Sequence, residues 1–116
     1  MFRPRIRSFV LLAPLSVMFT PEESKLIKSP LLIFVGDKDE ELSPDENGIA
    51  LAKNLGASLQ VIANAGHFTF LSPCSPDMSQ AMPELCIDPK GINRTETHQR
   101  INADIASFFK DTLGVQ

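Results

Sequence analysis

The chain lacks most of what would point to a function at once. Its 11 Lys and Arg against 14 Asp and Glu leave a net charge of -3 and a pI near 5.3, and no basic cluster is interleaved with aromatics, so no nucleic-acid partner is expected. No apolar run reaches the roughly 20 residues that a membrane-spanning helix needs. Cys74 and Cys86 are too far apart for the close cysteine pairs of a zinc site, and adding His98 does not mend the spacing. The acids Asp37, Asp39, Glu40, Glu41, Asp45 and Glu46 are dense, yet an EF-hand loop counted from Asp37 has Leu42 where glycine is obligatory. No metal and no cofactor is therefore expected, and Asp45 and Glu46 suit the positive end of a helix instead.

What is present reads as an ordinary globular chain of one domain at most, with 116 residues, 43% of them hydrophobic and 22% charged. The apolar run from Ile6 to Ala13 predicts a strand buried on both faces. Thr20-Pro21-Glu22-Glu23 carries a capping signature, which predicts a short helix over about 21–27. Leu31 to Val35 reads as a second buried strand. Ser43-Pro44-Asp45-Glu46 repeats the capping signature and opens a helix that runs to Gly56 as its stop. A third strand follows over 58–62. The proline-rich stretch from 71 to about 93, with both cysteines, has no sustained periodicity and reads as an excursion loop. Asn93-Arg94-Thr95-Glu96 then caps a last helix whose Ile101, Ile105, Phe108, Phe109 and Leu113 share one face. The alternation β-α-β-α-β-loop-α implies an α/β fold with about three parallel strands and flanking helices.

Two features bear on compartment. Arg3, Arg5 and Arg7 precede the apolar segment Phe9 to Phe19, as a secretory signal would begin, but Pro14 interrupts it and no small-x-small cleavage site follows. A plain strand is the preferred reading. Cys74 and Cys86 form a loop-closing disulfide in an oxidising compartment or remain two buried thiols in a reducing one, and the sequence leaves both open, leaning slightly toward a periplasmic or secreted protein.

The chemistry gathers where strands end. Gly36-Asp37-Lys38-Asp39 closes the second strand, and Asn64-Ala65-Gly66-His67-Phe68 closes the third. In a parallel sheet these positions share the rim where ligands bind. His67 is the candidate general base, on a turn made tight by Ala65 and Gly66. Asp39 is the preferred acid, because the third position after the strand-ending glycine carries it past the turn, whereas Asp37 suits a bond to a turn N–H. A carboxylate and then a histidine on successive strand ends is the order of acid and base in a Ser-Asp-His triad, yet no Gly-x-Ser-x-Gly elbow occurs in this sequence. His98, one turn before Ile101, reads as a surface or loop-packing histidine. Asn93-Arg94-Thr95 matches a glycosylation sequon, but its Asn is already accounted for as a helix cap.

Ser29-Pro30-Leu31-Leu32-Ile33-Phe34-Val35-Gly36-Asp37-Lys38-Asp39, then Asn64-Ala65-Gly66-His67-Phe68-Thr69-Phe70-Leu71, Cys74, Cys86, Gly91-Ile92-Asn93-Arg94, His98 and Phe108-Phe109 resemble the C-terminal part of the predicted dienelactone hydrolases. These are α/β-hydrolases related to the platelet-activating factor acetylhydrolases. The resemblance runs from Arg5-Ile6 onward. It implies that Asp39 and His67 are the acid and base of the triad and that the three strands are the last three of an eight-strand sheet. The nucleophilic serine and the oxyanion hole would come from earlier segments.

The resulting expectation is the C-terminal portion of an α/β-hydrolase fold that acts on a small-molecule ester or lactone once a nucleophile-bearing half completes it, and that is inactive alone. A second reading is a non-catalytic remnant or interaction module that self-associates through the open edge at 6–13. A third, a flavodoxin-like binding domain, is weakened by the acidity of Gly36-Asp37-Lys38-Asp39, which does not suit an anion.

Overall fold

All six residues of the central strand are buried, and that follows from its position. A computed structural model describes residues 5–114. In it, β1 (Phe9–Leu12), β2 (Leu31–Gly36) and β3 (Ser58–Ile62) form a parallel sheet in the order β1-β2-β3. Side chains alternate across β2. Leu31, Ile33 and Val35 meet Leu51 and Ala52 of helix α2 (Gly48–Leu55) on one face. Leu32 and Phe34 meet Ile101, Ile105 and Phe108 of the long C-terminal helix on the other. A strand covered on both sides must be apolar throughout, as Leu31-Leu32-Ile33-Phe34-Val35 is.

The first strand differs from expectation in two ways. It is shorter, spanning Phe9–Leu12, and it is half-buried rather than buried on both faces. Both follow from its place at the sheet edge. The last bond to β2 is the Ala13 N–H to the Phe34 carbonyl at 2.8 Å, and Ala13 then turns out of the strand at φ 48°. The Phe9 N–H likewise points inward, to Pro30 O. By alternation the N–H and C=O groups of Val10 and Leu12 point away from β2, where no strand pairs with them among the described residues. Arg3 of the signal-like run lies outside the described residues.

Helix α1 (Pro21–Ser24) has the expected capping box, with the Thr20 hydroxyl accepting from Glu23 N and the Glu23 carboxylate from Thr20 N. It ends at Ser24 rather than Ile27, because the next turn tightens: Leu26 N bonds Glu23 O and Ile27 N bonds Ser24 O, three residues back. Helix α2 begins at Gly48, later than the Ser43 signature suggests. The reason is Asn47, whose side-chain oxygen takes the N–H groups of Ser16 and Val17 at 2.9 Å each while its amide donates to Ser43 O. A residue tying the β1–α1 loop to this turn displaces the helix start. Gly56, at φ 62°, ends α2 as its sequence implies.

The stretch 71–93 is not a structureless loop. It holds α3 (Pro76–Ala81), capped by Ser75, and α4 (Pro83–Cys86), each opened by its proline. Prolines that read as breakers sit at the first helical position, where no N–H is needed. Cys74 and Cys86 are bonded to each other and close this segment. Asn93 caps α5 (Arg94–Leu113), which ends at Gly114.

Gly36 is required by the approach of two loops. A Cβ there would lie 2.3 Å from Ala65 O and 2.7 Å from Ala65 C, and the obstruction is backbone. Gly36→Ala is expected to destabilise the fold by about 1–3 kcal/mol, read as a lower urea midpoint with unchanged slope.

Candidate functional site

The rim at the carboxyl ends of β2 and β3 is built by backbone pairing that continues past the sheet. Gly36 and Ile62 are register partners. Asp37 N then bonds Ile62 O at 3.2 Å, and Lys38 N bonds Ala65 O at 2.9 Å. The Asp37 carboxylate accepts from Asn64 N at 2.7 Å, fixing the start of a loop in which Asn64 itself sits at φ 65°. Asp37 thus serves the turn, a role its position suits.

Asp39 is the carboxylate that reaches the histidine. Its side chain is 3% exposed, and Oδ2 accepts from Nδ1 of His67 at 2.8 Å. Its other oxygen accepts from Glu41 N at 2.9 Å and Leu42 N at 2.8 Å, so the carboxylate is locked in one rotamer. A carboxylate that only accepts requires the proton on Nδ1 of His67, which leaves the lone pair on Nε2. Phe68 packs edge-on against the imidazole, with centroids 5.2 Å apart. The imidazole lines a cleft of about 630 Å³ together with Lys38, Glu41, Phe68, Leu85 and Ile87. An oriented imidazole that lines a cleft and keeps the lone pair on Nε2 can take a proton from a hydroxyl brought to it and return it to a leaving group.

Behind His67 lies a network that sequence reasoning misses. His67 opens a 3-10 turn, His67–Phe70, and Thr69 within it is 1% exposed. The Thr69 hydroxyl accepts from Gly66 N at 2.9 Å and donates to Asp88 at 2.7 Å. Asp88 is held in turn by two bonds from Arg94, at 2.9 and 2.8 Å, and Arg94 also donates to Leu85 O at 3.0 Å. His98 is a loop-packing residue, its Nε2 donating to the Thr69 carbonyl at 2.6 Å. Gly91-Ile92-Asn93-Arg94 belongs to the family resemblance, but nothing in the sequence ties it to the His67 turn. Asp88 carries no sequence signal at all, because its partners lie 6 and 19 residues away with no period linking them.

Burial alone would raise the Asp88 carboxyl, but the hydrogen bonds from Arg94 and Thr69, with the charges of Arg94 and His98, outweigh it and hold the group below its ordinary value. A depressed carboxyl contributes stability that is present above its unfolded value, about 3.9, and lost as pH falls through the folded value. Urea midpoints are therefore expected to drop below about pH 4, and Asp88→Asn is expected to remove part of that acid dependence.

Among the described residues no group of three or more His, Cys, Asp or Glu is placed to hold a metal ion, and no helix is long and apolar enough to cross a membrane. Compared with protein-family models, curated proteins and solved structures, the chain gives no match. At the level of class, the fold is a small α/β domain with a three-strand parallel sheet and an Asp-His pair at its carboxyl rim.

Proposed function

We propose that the chain is the C-terminal portion of a serine hydrolase of the α/β-hydrolase type, similar to the dienelactone hydrolases and acting on a carboxylic ester or lactone. The observation that carries this reading is the 2.8 Å bond from His67 Nδ1 to a buried, three-donor Asp39, with Nε2 left basic at a cleft. A serine from the nucleophile-bearing half attacks the carbonyl, and its proton passes to His67 Nε2 and then to the leaving alcohol. Asp39 holds the tautomer and stabilises the imidazolium.

The outer edge of β1, along which no strand pairs among the described residues, supports the same reading, as do the exposed apolar side chains of β1 and the segment after it. Leu12, Leu15, Val17, Met18, Phe19 and Leu26 are between 42% and 78% exposed. Pairing of the nucleophile-bearing strand along Val10 and Leu12 satisfies the backbone groups of that edge. The same surface favours the second reading, an interaction module without catalysis, which predicts self-association of the isolated chain in size-exclusion chromatography.

Hydrolysis of p-nitrophenyl acetate, by the chain alone and by the chain joined to its nucleophile-bearing half, separates the two readings. The hydrolase reading expects negligible turnover by the chain alone and turnover by the pair that His67→Ala abolishes. Turnover by the chain alone that survives His67→Ala would sink it.

A further inference from the structure

We infer that Thr69 is a positioning residue for His67, acting through the turn that carries the imidazole and braced from behind by Asp88 and His98. The inference deepens the proposed hydrolase and rests on that reading for its kinetic consequence. Its geometric content stands on the Asp39–His67 pair alone.

Gly66 and Thr69 bracket His67 in the chain and are bonded to each other twice. Gly66 N donates to the Thr69 hydroxyl at 2.9 Å, and Thr69 N donates to Gly66 O at 3.3 Å. The φ and ψ of His67 lie inside this closed unit, so its Cα–Cβ direction toward Asp39 is set by it. The unit is anchored at two further points. The Thr69 hydroxyl donates its own proton to Asp88 at 2.7 Å, and the Thr69 carbonyl receives His98 Nε2 at 2.6 Å. Every polar atom of Thr69 is thereby committed, at a residue 1% exposed. Asp88 is fixed by the Arg94 fork, and Arg94 reaches Leu85 O in the segment that the Cys74–Cys86 bridge closes.

A hydroxyl that both accepts and donates in fixed directions is what this position demands, and valine has the shape without the chemistry. Thr69→Val leaves Gly66 N without its partner and Asp88 with the Arg94 fork alone, so that only backbone bonds and the His98 brace still hold the turn. Misplacement of a catalytic group by about 1 Å lowers turnover on the order of 10²-fold. The Asp39–His67 bond gives a direct reading in the isolated chain, as a downfield proton resonance of His67 Nδ1–H.

Thr69→Val is expected to lose or broaden that resonance, while Thr69→Ser, which keeps the hydroxyl, retains it. His98→Ala, which removes the brace on the Thr69 carbonyl and leaves the Thr69 hydroxyl in place, is expected to shift it, and this half-buried helix position gives a second variant should Thr69→Val prove unstable. Ile101→Val, a core change on α5, serves as a control and should leave the resonance in place. In the complete hydrolase, Thr69→Val should lower kcat by about 10²-fold with KM nearly unchanged, and Thr69→Ser should restore it. An unaltered resonance in both Thr69→Val and His98→Ala overturns the inference, as does a Thr69→Ser variant that behaves like Thr69→Val. A complete hydrolase that shows no His67-dependent turnover, with the resonance still lost in Thr69→Val, overturns the hydrolase reading and leaves the positioning of the imidazole standing.

Discussion

Asp39→Asn is expected to lower kcat of the complete hydrolase by about 10⁴-fold while leaving the fold intact. The size of the effect follows from which atom of the new amide can face His67. The oxygen of Asp39 that accepts from Glu41 N and Leu42 N must remain an acceptor, so the asparagine places its oxygen there and its NH2 toward the imidazole. An NH2 facing Nδ1 demands a lone pair on Nδ1, which moves the ring proton to Nε2. The base then presents a hydrogen where it should present a lone pair. Nitrogen chemical shifts of the His67 ring should report the exchanged tautomer directly. Asp37→Asn is the matched control, since its carboxylate oxygen accepts a single backbone N–H from Asn64 and asparagine can accept it as well. Loss of activity in Asp37→Asn equal to that in Asp39→Asn would reverse the assignment of the acid.

The choice between those two carboxylates is legible in the sequence because it depends on local geometry. A strand-ending glycine fixes where the turn begins, and two residues further along the chain separate a turn-capping acid from one that crosses to the next loop. The strands are legible for a similar reason: β2 and β3 are continuous segments bounded by Pro30 and Gly36, and by Gly56 and the Asn64 turn. Local signals fail where a distant partner overrides them. Asn47 delays the start of α2 because it answers the N–H groups of Ser16 and Val17, 31 and 30 residues away. Pro76 and Pro83 open helices because Ser75 and the disulfide stabilise short turns that propensity alone would leave unformed. The support behind His67 is invisible for the same reason, since a buried ion pair has no periodicity of its own.

That ion pair carries the largest expected effect on stability. Arg94 and Asp88 are 6% and 10% exposed at their side chains, so removing either one strands the other. Arg94→Met is expected to destabilise the protein by about 3–5 kcal/mol at pH 7, because a buried carboxylate then keeps only the Thr69 hydroxyl, and Leu85 O loses its donor. The double variant Arg94→Met/Asp88→Leu removes both charges and should recover much of that loss, so that the two single effects sum to well above the double. The pH dependence of this deficit follows from the same balance. Without the guanidinium, burial is opposed only by the Thr69 hydroxyl and the charge of His98, so the Asp88 carboxyl rises above the value it has in the native pair. The variant then takes up that proton in the folded state at a higher pH than the native protein does, so the deficit of Arg94→Met shrinks on acidification. Denaturation midpoints that converge with the native protein on acidification identify the stranded charge as the cause. A deficit constant from pH 7 to pH 4 would assign the loss to packing around the arginine stem instead.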